Sequence, residues 1–147
     1  MAQELAPRLW LVDGYNVLHA VLLGAGGREG AWWSEPARAG LLARAERLDD
    51  PGAEIWVVFD GPRPEAAPEA TAPGARVRRV FAASADEWLV ARVRESPQPD
   101  RIAVVTADRR VADRARHRGA RVVAPAEFLA RCGRAPAAGP EPGAACG

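Results

Sequence analysis

Leu9-Trp10-Leu11-Val12-Asp13-Gly14-Tyr15-Asn16-Val17 is the stretch whose reading decides the fold. Four apolar residues closed by Asp-Gly read as a buried strand running into a turn. The pattern recurs along the chain. Ile55-Trp56-Val57-Val58-Phe59 runs into Asp60-Gly61, and Ile102-Ala103-Val104-Val105 runs into Thr106-Ala107-Asp108. Helical stretches separate these runs. Strand–helix alternation of this kind predicts a three-layer α/β/α sandwich around a central, mostly parallel sheet. Strands are expected at 8–12, 54–59, 76–81, 101–105 and 121–124, with the first lying between the second and the fourth.

Parallel strands share one C-terminal rim, so acids that follow them meet there. Asp13 and Asp60 close their strands, and Asp108 stands three residues beyond its own. Asp86 lies just inside the helix that follows Val80-Phe81. Four carboxylates on one rim repel each other, and a hard divalent cation with its preference for oxygen ligands relieves that repulsion. Each acid has a plainer reading as well. Asp-Gly is a turn dipeptide. Thr106 can cap a helix, which leaves Asp108 in a first turn favoured by the helix dipole. Glu87 belongs to the capping box Ser84-Ala85-Asp86-Glu87. Asp86 shares helical spacing with Leu89, Val90 and Val93, and an acid on that face needs a metal or an arginine as partner. Asn16, three residues after Asp13, is suited either to orient that carboxylate or to cap a helix.

The chain has 147 residues and a net charge of +1, which bounds it to one domain and leaves the overall charge uninformative. All 20 basic residues are arginine. Cys132 and Cys146 do not form a zinc pattern, and a reduced, cytosolic setting is expected. The first residues lack the basic start and apolar core of a signal peptide, and no apolar run is long enough to cross a membrane. The domain is expected over 8–131, with disorder at 1–7 and in the Gly/Pro/Ala-rich 133–147. Ser34 reads as the N-cap of a helix reaching Leu48. Residues 61–75 read as a loop at the rim, and Arg76, Arg78 and Arg79 as an exposed strand near an edge. No Walker A loop, GxGxxG or GxSxG is present. His19 and His117 have no second ligand at metal spacing.

Leu11 to Leu18, Val57 to Gly61, Ser84 to Val90, Val104 to Arg109 and Arg118 to Val123 occur in an order that resembles the YacP-like NYN domains of the PIN-like nucleases. The resemblance covers about 8–131. It implies a PIN-like α/β/α fold and a Mg²⁺- or Mn²⁺-dependent ribonuclease leaving a 5′-phosphate and a 3′-hydroxyl. The implied catalytic and metal-binding acids are Asp13, Asp60, Asp86 and Asp108, supported by Asn16, Thr106 and Glu87. RNA is the implied partner, with ribosome-associated mRNA, tRNA and rRNA all open. A non-catalytic RNA-binding module of the same fold and a toxin-type PIN ribonuclease are the alternatives.

Between Asp108 and Arg121 the chain holds six arginines against two acids. Arg110, Arg114 and Arg118 recur every four residues and should line one helix face, while Val111, Ala112 and Ala115 face the sheet. Two readings are open: a solvated face in an arginine-rich protein, or a phosphate-tracking strip with Arg109 nearest the scissile group. Asp113 is expected to pair with Arg109 and His117 at four-residue spacing.

Overall fold

A computed structural model describes residues 7–24, 35–50, 52–61 and 75–133. The expected disorder at 1–6 and 134–147, the Ser34 cap and most of the 61–75 loop lie outside the described residues. Five parallel strands form one sheet: β1 (Leu9–Asp13), β2 (Glu54–Asp60), β3 (Val77–Ala82), β4 (Ile102–Val105) and β5 (Arg121–Val123), in the order β3-β2-β1-β4-β5. The first strand is central, between the second and the fourth, as its apolar run requires. The helices are α1 (Gly14–Gly24), α2 (Glu35–Ala45), α3 (Ala85–Glu95), α4 (Arg109–His117) and α5 (Pro125–Arg131).

Alternation along the strands sorts side chains to the two faces. Trp10, Val12, Ile55, Val57 and Phe59 pack with Val17, Leu18, Leu41, Phe128 and Leu129 of α1, α2 and α5. Leu11, Val58 and Val104 pack on the other face with Leu89, Val90 and Val93 of α3 and Val111 and Ala115 of α4. The sheet is therefore covered on both sides, which gives the three-layer α/β/α architecture. Trp10, Phe59 and Phe128 are fully buried, and each contributes roughly 1.5–3 kcal/mol or more by leaving water. Trp10 hands its indole N–H to Asp50 Oδ2 at 3.0 Å, so its burial strands no polar atom.

The third strand differs from expectation: Arg78 is half-buried, and Arg79, with its side chain only 12 % exposed, bonds Glu35 at 2.9 Å. Arg76 is not an exposed strand residue. It precedes β3 and donates to the carbonyls of Ala53, Glu46, Leu48 and Asp50 at 2.6–3.1 Å. A guanidinium has five N–H donors in a fixed fork, and here they tie the α2–β2 connection to the start of the edge strand. β3 does lie at the edge of the sheet.

Candidate active site

The period-2 rule decides which acids can meet. Asp13 has the parity of Leu11, Asp60 that of Val58, and Thr106 that of Val104. All three therefore project to the α3–α4 side of the rim. α3 and α4 begin at that same rim. Asp86 stands in the first turn of α3, and Asp108 caps α4.

Asp13 is 7 % exposed. Its Oδ2 accepts the Thr106 hydroxyl at 3.3 Å, and it also takes the backbone N–H of Asn16. Thr106 is shared, because its Oγ1 accepts the Asp108 N–H at 3.0 Å. Asn16 Oδ1 accepts the Ala107 N–H at 2.7 Å. Asn16 thus latches the β1–α1 turn to the β4–α4 turn, and Thr106 hangs Asp13 beneath it. Asp60 Oδ1 accepts the Ala85 N–H at 2.9 Å, so the end of β2 fixes the start of α3.

Two expectations are corrected. Asp108, not Thr106, is the N-cap of α4; its Oδ1 accepts from the N–H groups of Arg110 and Val111 at 2.9 and 3.2 Å. The Thr106 hydroxyl is directed to Asp13 instead. Asp86 does not share the buried face of α3. Leu89, Val90 and Val93 are buried while Asp86, in the first turn, is exposed. The capping box is half formed: Ser84 Oγ accepts the Glu87 N–H, and the Glu87 carboxylate turns to Arg114 at 3.3 Å.

Charge links the four aspartates. Burial pushes the Asp13 carboxyl up to about 6, with Asp86 and Asp108 adding to it. Asp86 is also pushed up, by desolvation and then by Asp108, Asp60 and Glu87, while Arg110 acts in the opposite sense. The acids are close enough to feel each other. Among the described residues, however, no three His, Cys, Asp or Glu side chains stand together at metal-binding spacing. The donor set still suits a hard cation, since all the donors are oxygen, and burial followed by mutual repulsion raises Asp13 and Asp86. Magnesium keeps several waters and needs only one or two direct carboxylates. A separate cavity of about 350 Å³, lined by Arg8, Arg92, Glu95 and Arg101 among others, lies at the opposite end of the strands, away from these groups.

One cluster beside the site was not anticipated. Arg38 is 4 % exposed. It donates to the Tyr15 hydroxyl at 2.9 Å and to Glu35 at 3.0 and 3.1 Å, and Glu35 also accepts from Arg79 at 2.9 Å. Desolvation alone would raise the Glu35 carboxyl, but the bonds from Arg79 and Arg38 hold it below its ordinary value. The cluster anchors Tyr15, two residues from Asp13. Its sequence signal is Glu35 placed three residues before Arg38 in the first turn of an alanine-rich helix.

The family model of the YacP-like NYN domain matches residues 10–139. The chain belongs to this family. In structure the NYN domain resembles crystal structures of Rae1 (YacP) from Bacillus subtilis. One, of a mutant, has a TM-score of 0.63 at 25 % identity and covers 84 % of this chain and 74 % of that one. The other has a TM-score of 0.60 at 25 % identity, with 84 % and 72 % covered. No match was found among curated proteins. Membership gives the NYN domain a nuclease-like, RNA-related function.

The remaining expected residues fall as follows. Arg109 and Arg110 are exposed at the start of α4, Arg114 pairs with Glu87, and Arg118 caps the C-terminus of α4. Val111, Ala112 and Ala115 face the sheet, as their spacing requires. Asp113 pairs with Arg116 at 3.5 Å rather than with Arg109 or His117. No helix among the described residues is long and apolar enough to cross a membrane.

Proposed function

We propose that this NYN domain is a metal-dependent endoribonuclease, hydrolysing RNA phosphodiester bonds at Asp13, Asp60, Asp86 and Asp108. One observation carries the reading: Asp13 is a buried acid beside two further acids, Asp86 and Asp108, that both raise it. Burial and like charges that shift carboxylates in this way are a feature of functional sites, and a divalent cation would relieve the repulsion. Mg²⁺ or Mn²⁺ would fit the all-oxygen donors, with one or two of Asp13, Asp60, Asp86 and Asp108 binding directly and the others through metal-bound water. When bound, the cation offsets charge on the scissile phosphate and promotes attack by water.

The chain's own residues supply the rest. Thr106 and the Asn16 backbone fix the Asp13 carboxylate in one orientation. Asn16 and Asp60 hold α4 and α3 at the rim through backbone N–H groups. Arg109, Arg110, Arg114 and Arg118 face the RNA, because an acidic pocket alone repels a polyanion.

The test is cleavage of mixed-sequence RNA and DNA oligonucleotides by the purified chain, with Mg²⁺, with Mn²⁺ and under exhaustive chelation. RNA is cut only with metal, and Asp13→Asn, which keeps shape but removes charge, loses at least about a hundredfold in rate. Full activity in Asp13→Asn refutes a catalytic role for that carboxylate. RNA binding without any metal-dependent cleavage identifies the domain as a non-catalytic module instead.

A further inference from the structure

α3 and α4 both start at the acid-bearing rim and run side by side away from it. Between them lies a groove of about 250 Å³. Val90 lines its base. Arg94 stands on the α3 side, Arg114, His117 and Arg118 stand on α4, and Asp113 is the one acid lining it. Three guanidinium groups against one carboxylate make the groove electropositive.

The rim end of the groove borders the acid cluster through Arg114, whose partner Glu87 is next in sequence to Asp86. Arg110 acts on Asp86 through its charge, and Arg114 Nη1 donates to Glu87 Oε2 at 3.3 Å. Residues four apart on a helix are displaced by about 6 Å along its axis. Arg110, Arg114 and Arg118 therefore descend from the rim as a ladder. Arg94, in the last turn of α3, is the opposing wall near its lower end. A groove contacts a flexible polyanion from two sides, which one helix face does not. No Phe, Tyr or Trp lines it, so there is no platform on which a base could stack.

We propose that the α3–α4 groove carries the phosphodiester backbone of single-stranded RNA away from the acidic cluster, with Arg94, Arg114 and Arg118 as its phosphate contacts. The proposal rests on the ribonuclease reading above and adds a direction and a second wall to it. In the free protein Glu87 holds Arg114 at the end nearer the rim. Both side chains are well exposed, at 47 % and 68 %, so an incoming phosphate displaces Glu87 at small cost. Contacts of this kind carry little sequence information.

The experiment measures binding of a fluorescent single-stranded RNA of about 12 nucleotides to the full chain by anisotropy. It is done under chelation, so that no cleavage occurs, across a series of salt concentrations. Arg94→Glu and Arg118→Glu should each weaken binding by roughly fivefold or more and flatten the log–log salt slope by about 0.7 per lost contact. Glu87→Gln should tighten binding roughly twofold or more, since Arg114 is released and a repelling charge is removed. Arg47→Glu makes the same change of charge at an exposed turn after α2, outside the groove, and should leave affinity close to the parent's. Wild-type affinity in both groove variants overturns the proposal, as does an equal loss in Arg47→Glu. An acidic peptide that competes with equal strength and the same dependence on Arg94 and Arg118 also overturns it, making the groove a protein-docking site. Cleavage by the wild-type chain, run in parallel with Mn²⁺, separates the two readings. Groove-dependent binding without cleavage sinks the ribonuclease, while cleavage with groove-independent binding sinks the groove.

Discussion

Asp13 is held in a place that works against its own charge. Its carboxyl is raised from 3.8 to about 6, first by burial and then by Asp86 and Asp108. The folded state therefore keeps a proton that the unfolded chain has already released between about pH 4 and pH 6, and stability falls as pH rises through that window. A shift of about two units corresponds to roughly 3 kcal/mol, fully lost above about pH 6. Metal-free Asp13→Asn should accordingly be more stable than the parent by about 2–3 kcal/mol near pH 7.5, and the gain should vanish near pH 4. Urea unfolding in chelator at the two pH values checks this; a gain of the same size at both would assign it to packing rather than charge. The neighbouring residue is constrained by space. A Cβ on Gly14 would lie 2.4 Å from Phe59 Cε1, and that ring is wedged between Tyr15 and Phe81 at centroid distances of 5.0 and 5.5 Å. Gly14→Ala should cost about 1–3 kcal/mol by overpacking, read as a lower urea midpoint.

At the scale of elements, the rim is assembled by caps that cross between units. Asp60 at the end of β2 receives an N–H from α3, Asn16 of α1 receives one from the β4–α4 turn, and Asp108 caps its own helix. Each carboxylate or amide oxygen satisfies a donor that the chain leaves unpaired at a turn or helix start. The same logic governs the far side of β2, where Arg76 satisfies four carbonyls at once. Replacing Arg76 with Met keeps much of the stem but removes these four bonds, including the part-buried ones to the Ala53 and Leu48 carbonyls. The expected loss is about 2–4 kcal/mol in urea unfolding, because hydrogen bonds to a charged donor are worth more than neutral ones. Metal-dependent cleavage per folded molecule should stay at the parent's level, since Arg76 braces the connection after α2 and touches no residue of the acid cluster.

For the molecule as a whole, anything that binds only the folded acids stabilises the fold by mass action. Mn²⁺ at about a hundred times its Kd should add about 2.7 kcal/mol, seen as a higher Tm in the parent and a smaller rise in Asp13→Asn. Equal rises in both would place the binding elsewhere. The fold class, the central position of β1 and the rim location of the acids were all legible in the sequence. They follow from local facts: uninterrupted apolar runs mark strands buried on both faces, and an acid just after such a run must sit at its end. That Asp13, Asp60 and Thr106 share one side was not legible, because it depends on the register between strands. Tertiary structure alone decided how the polar atoms are shared. Thr106 and Asp108 are both good caps by type; in the fold Thr106 donates to Asp13 across 93 positions of sequence and accepts the Asp108 N–H, while Asp108 accepts the first free N–H groups of α4. Helical spacing put Asp86 on the apolar face, but in the first turn of α3 it is exposed while Leu89, Val90 and Val93 are buried. Arg76 looked like a solvated strand residue until the carbonyls of a neighbouring connection closed around it. Local pattern fixes where a side chain leaves the backbone. Which partner it meets depends on groups that long crossovers bring together, and that information exists only once the chain is packed.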